Sequence, residues 1–124
     1  MSYLIQKIRV RLQNAVVTER NLYADGSITI GEELLEESGI EEGEIVDISN
    51  VQHTEWTQGF VTKGKGREIV VNGSPARMFF KDDNISIVAY GYVVRYLGEK
   101  PSTYFDPTTI ILDGTVNNIT IGSK

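Results

Sequence analysis

Short runs of β-branched and aliphatic residues, each ended by a turn signal, constrain the fold of this chain more than any other feature. They predict strands at residues 4–18 (one strand or two), 27–30, 45–48, 56–62, 68–71, 85–94 and 109–112. The run at 85–94 is expected to be the longest strand. Asn72-Gly73 is a strong tight-turn signal between two of these runs.

Only two segments favour a helix. Residues 31–39 carry an apolar side at Leu34 and Leu35, and Gly39 suits a helix C-terminus. Residues 75–80 could form a helical turn, and the polar tail beyond Gly114 is expected to be loose. Many short strands with one or two short helices predict a mainly β barrel or sandwich.

Length and composition exclude several classes of protein. A chain of 124 residues is predicted to form one domain, residues 1–124. It has no cysteine and one histidine, so disulfides, thiolate metal sites and a Ser-His-Asp triad are not expected, and no metal site is predicted. The net charge of −5 argues against nucleic acid as a partner. No apolar run is long enough to span a membrane, and the start of the chain lacks a secretory pattern, which predicts a cytoplasmic protein.

Several short motifs occur in an order and spacing that resembles the aspartate 1-decarboxylase family over residues 8–117. In chain order they are Val17-Thr18, Gly26-Ser27, Glu42-Gly43-Glu44, Asp47-Ile48, Asn50-Val51, Thr57, Val71-Asn72-Gly73, Asp83, Tyr104 and Pro107. The resemblance implies a double-psi β-barrel, assembled as a homotetramer with active sites between neighbouring subunits. It also implies a small amino-acid substrate, L-aspartate, which the family converts to β-alanine and carbon dioxide.

Decarboxylation of an α-amino acid needs an electron sink, and the resemblance implies a pyruvoyl group made from Ser27. The hydroxyl of Ser27 would attack the carbonyl carbon of Gly26, and the resulting ester would eliminate to leave the pyruvoyl at the start of residues 27–124. Gly26 would permit a strained backbone. By resemblance, Thr57 holds the oxyanion and Asn72 lies near the cofactor. From residues 25–27 alone, a plain hairpin turn is the favoured interpretation, and Thr57 and Asn72 at matching positions shift it to self-processing.

The substrate-handling positions depart from the family pattern. The positions assigned to the substrate by resemblance are Arg11, Thr54, Gln58, Gly73 and Ser74. In the family a lysine matches Arg11, an arginine falls near Thr54 and a proton-donating tyrosine matches Gln58. Further departures are Gln13 for a histidine, Ala24 (beside Tyr23) for a tyrosine, Ser49 for a tryptophan and Ser86 for a bulky aliphatic residue.

These departures leave two readings of function open, an enzyme with an altered substrate and an inactive homologue that serves as a binding or scaffolding subunit. A third, an unrelated barrel of the transcription-regulator type, is disfavoured by the acidic charge. Trp56 is expected to be a core aromatic, His53 a solvated loop residue, and the acidic residues within 32–44 a solvated face. Whether a maturation factor is needed is left open by the sequence.

Overall fold

The computed structural model describes residues 1–50, 52–100 and 107–120, which form eight strands and one α-helix. The elements are β1 (Ser2–Val16), β2 (Glu19–Asn21), β3 (Ser27–Gly31), α1 (Glu32–Ser38), β4 (Ile45–Asn50), β5 (Glu55–Gly64), β6 (Ile69–Asn72), a 3₁₀ turn (Ser74–Arg77), β7 (Asn84–Tyr96) and β8 (Thr108–Ile111). Val51 and Tyr104, two residues of the family motifs, lie outside the described residues.

All eight strands join one mixed sheet in the order β2-β6-β3-β5-β4-β7-β1-β8. Strand β3 lies at the centre of the candidate site, antiparallel to β6 and parallel to β5. The predicted mainly β class is confirmed, and the sheet is consistent with a double-psi barrel. The longest strand is β1, with 15 residues, so the prediction that residues 85–94 form the longest strand is wrong.

Alternation along the strands builds the core. Ile28 and Ile30 of β3 are fully buried, as are Ile87 and Ala89 of β7. Successive side chains of a strand point to opposite faces, so one face of the sheet covers the core and the other meets solvent. We call the second face the outer face; it carries the candidate site.

Helix α1 begins after Gly31 and ends where the sequence predicts. Gly39 adopts a left-handed conformation with φ of 75°, and its N–H donates to the carbonyl of Leu35 at 2.9 Å. Leu34 is buried, and most of the acidic side chains in residues 32–44 are exposed, as predicted. Among the described residues, no helix has the length and apolar character needed to cross a membrane.

Residues 115–120 are tied to the rest of the chain by hydrogen bonds, so the prediction of a loose tail beyond Gly114 is wrong for them, and residues 121–124 lie outside the described residues. Asn117 is fully buried. Its side chain accepts from the N–H of Val16 at 2.7 Å and donates to the carbonyls of Val16 at 3.0 Å and Arg67 at 3.1 Å. Asn117 thus holds the segment after β8 in place by pairing with backbone groups that would otherwise be buried without partners.

We expect Asn117→Ala to lower the free energy of unfolding by about 2–4 kcal/mol, because it leaves buried backbone groups of Val16 and Arg67 unpaired. Its φ of 62° adds strain for alanine. The matched control is Asn118→Ala at the exposed neighbour, expected to change stability by less than about 0.5 kcal/mol. Urea denaturation at one fixed protein concentration measures both, and equal midpoints would contradict the assigned role of Asn117.

Candidate active site

Ser27 begins β3 and is held between two strands. It is paired with Phe60 of β5 and with Asn72 of β6, and it is only 5% exposed. Because its neighbour Ile28 points into the core, the Ser27 hydroxyl lies on the outer face. A buried hydroxyl at the start of a strand is fixed in position more firmly than one in a mobile turn.

The side chain of Asn72 reaches the Ser27 hydroxyl. Its Nδ2 donates to Ser27 Oγ at 3.1 Å and to Thr29 Oγ1 at 3.0 Å. Thr29 Oγ1 in turn lies 2.8 Å from Thr62 Oγ1. The structure therefore brings together Ser27 and Asn72, as the sequence led us to expect, and adds two threonines that the sequence analysis missed.

Gly73 packs against the backbone at the predicted cleavage site. It has φ of 67° and ψ of −134°, and its N–H donates to the Asn21 carbonyl at 2.8 Å. A Cβ added there would lie 2.6 Å from the Ala24 oxygen and 2.8 Å from both N and Cα of Gly26. Only glycine fits this position without moving Gly26. We call Gly26, Ser27, Asn72 and Gly73 the cleavage cluster.

Gly26 itself has more room than expected. Its φ is not positive, and an added Cβ would meet only Pro75 Cδ at 3.8 Å. In the uncut chain, the close approach therefore constrains Gly73 rather than Gly26. The expected strained backbone at Gly26 is not observed.

Thr57 lies apart from the cleavage cluster within one chain. It is paired with Ile48 of β4 and stands three residues before Phe60, the partner of Ser27, which is roughly 10 Å along the strand. Its hydroxyl donates to the carbonyl of Gln58 at 3.4 Å. Within the part of the chain that the structure describes, no hydrogen bond joins Thr57 to Gly26 or Ser27.

A second group of polar residues crosses β5, β4, β7 and β1 on the outer face. Asp47 accepts from Gln58 Nε2 at 3.0 Å and from the Tyr90 hydroxyl. The hydrogen bond to Asp47 and burial raise the pKa of Tyr90 above its usual value, and the positive charge of Arg11 opposes that rise. We call Arg11, Asp47, Gln58 and Tyr90 the polar cluster.

A cleft with a volume of about 430 Å³ adjoins the polar cluster. It is lined by Gln6, Glu44, Ile45, Gln58, Tyr90 and Tyr92. The cleft has room for a small polar molecule, and hydrogen-bonding side chains line it beside apolar ones.

The remaining predicted substrate positions lie elsewhere. Thr54 is exposed in the turn before β5, with φ of 56° and its hydroxyl bonded to the carbonyl of His53 at 2.6 Å. Ser74 is exposed at the start of the 3₁₀ turn, directly after the cleavage cluster. The structure thus places Gly73 against Gly26, Gln58 in contact with Asp47 and Arg11 near Tyr90, and it leaves Thr54 outside both groups.

Trp56 is 57% exposed, so the expectation of a core aromatic is wrong. It is paired with Ser49, which is itself paired with Ser86 of β7. The indole therefore stands across from the serine that replaces the family tryptophan. His53 is exposed, as expected.

The cleavage cluster and the polar cluster share the outer face, and in the described part of the chain no hydrogen bond joins one to the other. Ser27 on β3 and Tyr90 on β7 are three strand positions apart, which is roughly 14 Å along the sheet.

The described residues contain no group of three or more histidine, aspartate or glutamate side chains arranged to hold a metal ion.

Comparison of the amino-acid sequence with those of known proteins identifies the family of this chain. The family model described as aspartate decarboxylase matches residues 3–120. The aspartate 1-decarboxylase of Thermotoga sp. (strain RQ2) is 41% identical over 85 residues, covering 67% of this chain and 75% of that protein. The aspartate 1-decarboxylase of Caldicellulosiruptor bescii is 39% identical over 105 residues, which cover 82% of this chain and 82% of that protein. The aspartate 1-decarboxylase of Campylobacter concisus is 36% identical over 106 residues, which cover 86% of this chain and 89% of that protein. With a match of this extent, the chain belongs to the aspartate decarboxylase family.

Proposed function

We propose that this protein is a carboxy-lyase that cleaves itself between Gly26 and Ser27 and uses the resulting pyruvoyl group to decarboxylate aspartate or a closely related amino acid. The observation that carries the proposal is the buried contact between Asn72 and the Ser27 hydroxyl, with Gly73 packed against Gly26. The names of the relatives support the same reaction, with β-alanine and carbon dioxide as products of aspartate.

Self-processing needs a fixed nucleophile next to a carbonyl that it can reach. Ser27 is fixed because β3 is paired on both sides. Gly73 sets the path of the backbone at Gly26, since any side chain there would displace it. Thr57 could stabilise the oxyanion only after a local movement, since one chain holds it roughly 10 Å away along β5.

The pyruvoyl group would supply the electron sink for decarboxylation, and Asn72 donates to the hydroxyl of the residue from which that group would form. The polar cluster suits the substrate. Arg11 provides a positive charge for a carboxylate, and Tyr90 lines the neighbouring cleft with a hydroxyl that is held by Asp47. We assign the proton-donor role to Tyr90, since Gln58 carries an amide that is not a useful acid.

A complete site would then need two copies of the chain. Gln58 lies on β5, next to β3, but within one chain Tyr90 is roughly 14 Å from Ser27 along the sheet and Arg11 lies one strand farther, which is too far for these side chains and Ser27 to hold one small amino acid. The outer face between them exposes Ile45, Phe60 and Tyr92. Apolar surface of this kind is typical of an association face, and we propose a homotetramer in which one subunit's polar cluster meets another's cleavage cluster. A cytoplasmic location stays a prediction from the sequence.

Gly73→Ala should slow cleavage at Gly26–Ser27 at least about tenfold, because its Cβ would displace Gly26 and Ala24. Gly98→Ala is the matched control. Gly98 also has a positive φ, 86°, but nothing lies within 4 Å of an added Cβ, so it carries the conformational strain without the clash. The uncut fraction, followed by mass spectrometry, measures both rates. Equal slowing in both variants would show that lost stability, and not the clash, is responsible.

Light scattering at micromolar concentration should give four times the 13.8 kDa mass of one chain. Ile45→Glu should shift the protein towards smaller assemblies, since it places a charge on the outer face next to Phe60, its partner on β5. Val116→Glu, at an equally exposed valine in the C-terminal segment, should leave the assembly unchanged. A monomeric wild-type mass would contradict the two-copy site.

Carbon dioxide release from aspartate by fully processed protein tests the proposed activity. We expect slow turnover, because the loss of a charge-assisted contact at Thr54 costs roughly 2–5 kcal/mol of binding. A positioned acid contributes about 10²–10⁴-fold, so Tyr90→Phe should reduce turnover further.

Ser27→Ala should stay uncut and release no carbon dioxide. Aspartate turnover of about 1–10³ per second would show that the substitutions matter less than we infer. Fast release from another amino acid in a panel would identify an altered substrate. No release from any of them, with the pyruvoyl present, would favour an inactive homologue.

A further inference from the structure

The chain of hydrogen bonds that begins at Ser27 extends beyond Asn72 to two threonines. Asn72 Nδ2 donates to both Ser27 Oγ and Thr29 Oγ1, and Thr29 Oγ1 lies 2.8 Å from Thr62 Oγ1. The register brings these side chains together, because Ser27 is paired with Asn72 and Thr29 with Thr62. Neither threonine has a part in the proposed function so far.

The two threonines can decide which way the amide of Asn72 points. An amide presents two N–H groups on one side and a carbonyl oxygen on the other. If the Thr29 hydroxyl gives its proton to Thr62 Oγ1, its own oxygen can only accept from Asn72. The amide nitrogen then faces both Thr29 and Ser27, and Ser27 Oγ receives an N–H instead of a carbonyl oxygen.

An N–H directed at Ser27 Oγ helps one step of self-processing more than the other. In the attack, Oγ bonds to the Gly26 carbonyl carbon, the bond from that carbon to the Ser27 nitrogen breaks, and the nitrogen takes the hydroxyl proton. An N–H already bound to Oγ draws electron density from the attacking oxygen, so it gives this step no assistance.

The second step places charge on that same oxygen. The Cα proton of Ser27 passes to water, a Cα–Cβ double bond forms, and the Cβ–Oγ bond breaks with its electron pair moving to Oγ. The oxygen leaves as part of the Gly26 carboxylate. Water then hydrolyses the remaining enamine, through its imine tautomer, to the pyruvoyl group and ammonia. A donor placed where negative charge develops lowers the barrier to such a step.

We propose that Thr29 and Thr62 are positioning residues that hold the Asn72 amide towards Ser27 Oγ and thereby speed release of the Gly26 carboxylate from the ester. The inference rests on the proposed self-processing and assigns Asn72 to its elimination step. It makes Thr29 more important than Thr62, because only Thr29 touches Asn72 directly.

Thr29→Val keeps the shape of the side chain and removes the hydroxyl. Freshly purified protein is incubated, and samples are treated briefly with neutral hydroxylamine, which cuts an ester but not a peptide bond. An ester at Gly26 then yields residues 27–124 with an N-terminal serine, whereas completed processing yields a pyruvoyl, and mass spectrometry distinguishes the two. Unintended cutting at Asn72–Gly73 gives different masses.

We expect the rate of pyruvoyl formation in Thr29→Val to fall at least about tenfold, and the fraction of protein present as the ester to be larger than in wild type. Thr29→Ser should restore the wild-type rate, and Thr62→Val should have a smaller effect of the same kind. Thr109→Val on β8, at the opposite end of the sheet order, is the control for the loss of a strand hydroxyl. Thermal midpoints of all variants show whether folding has changed.

Two results would overturn the inference while leaving self-processing intact. One is a wild-type rate in Thr29→Val. The other is slow processing with no increase in ester, which would assign the amide to the attack. If wild-type protein gives neither pyruvoyl nor hydroxylamine-sensitive ester, the proposed function fails, and the inference fails with it.

Discussion

The close approach of two backbone segments, at Gly73 and Gly26, is the constraint on which the rest of the candidate site depends. An added Cβ at Gly73 would lie 2.8 Å from Gly26, so the path of the chain into β3 is set by β6 and the turn after it. The same pairing places Asn72 beside Ser27 and Val71 beside Ile28. A slip of one residue would turn Ile28 out of the core, so burial of the core also fixes the site.

A fixed cleavage cluster does not make a complete enzyme. The groups suited to an anionic substrate, Arg11 and Tyr90, lie on β1 and β7, away from Ser27. Asp47 accepts a hydrogen bond from the Tyr90 hydroxyl, which fixes that hydroxyl in position and raises its pKa. In the two-copy site that we propose, association would have a catalytic role as well as a stabilising one, and a small chain would serve both self-processing and substrate binding.

Runs of β-branched and aliphatic residues predicted most strands, and the apolar side at Leu34 and Leu35 with Gly39 predicted the helix and its end, because burial of one face determines those elements. The length of β1 was ambiguous, since it runs through register shifts and through Asn14 with φ of 59°. The burial of Asn117 was not predicted, because asparagine is usually exposed and the sequence does not show the backbone groups of Val16 and Arg67 that pair with it. From the sequence, Thr29 was only a residue that favours strands. Its contact with Asn72 depends on the pairing of β3 with β6, which are distant in sequence. Trp56 read as core, although its position in β5 points it to the outer face.

The intact mass of the purified wild-type chain tests the central claim most directly, because self-processing changes the covalent structure. After prolonged incubation, we predict two fragments, residues 1–26 and residues 27–124. The larger fragment should lack an amino group at its start and should react with a carbonyl reagent such as a hydrazine. A single uncut mass after long incubation at elevated temperature, both with and without cell extract, would contradict the account.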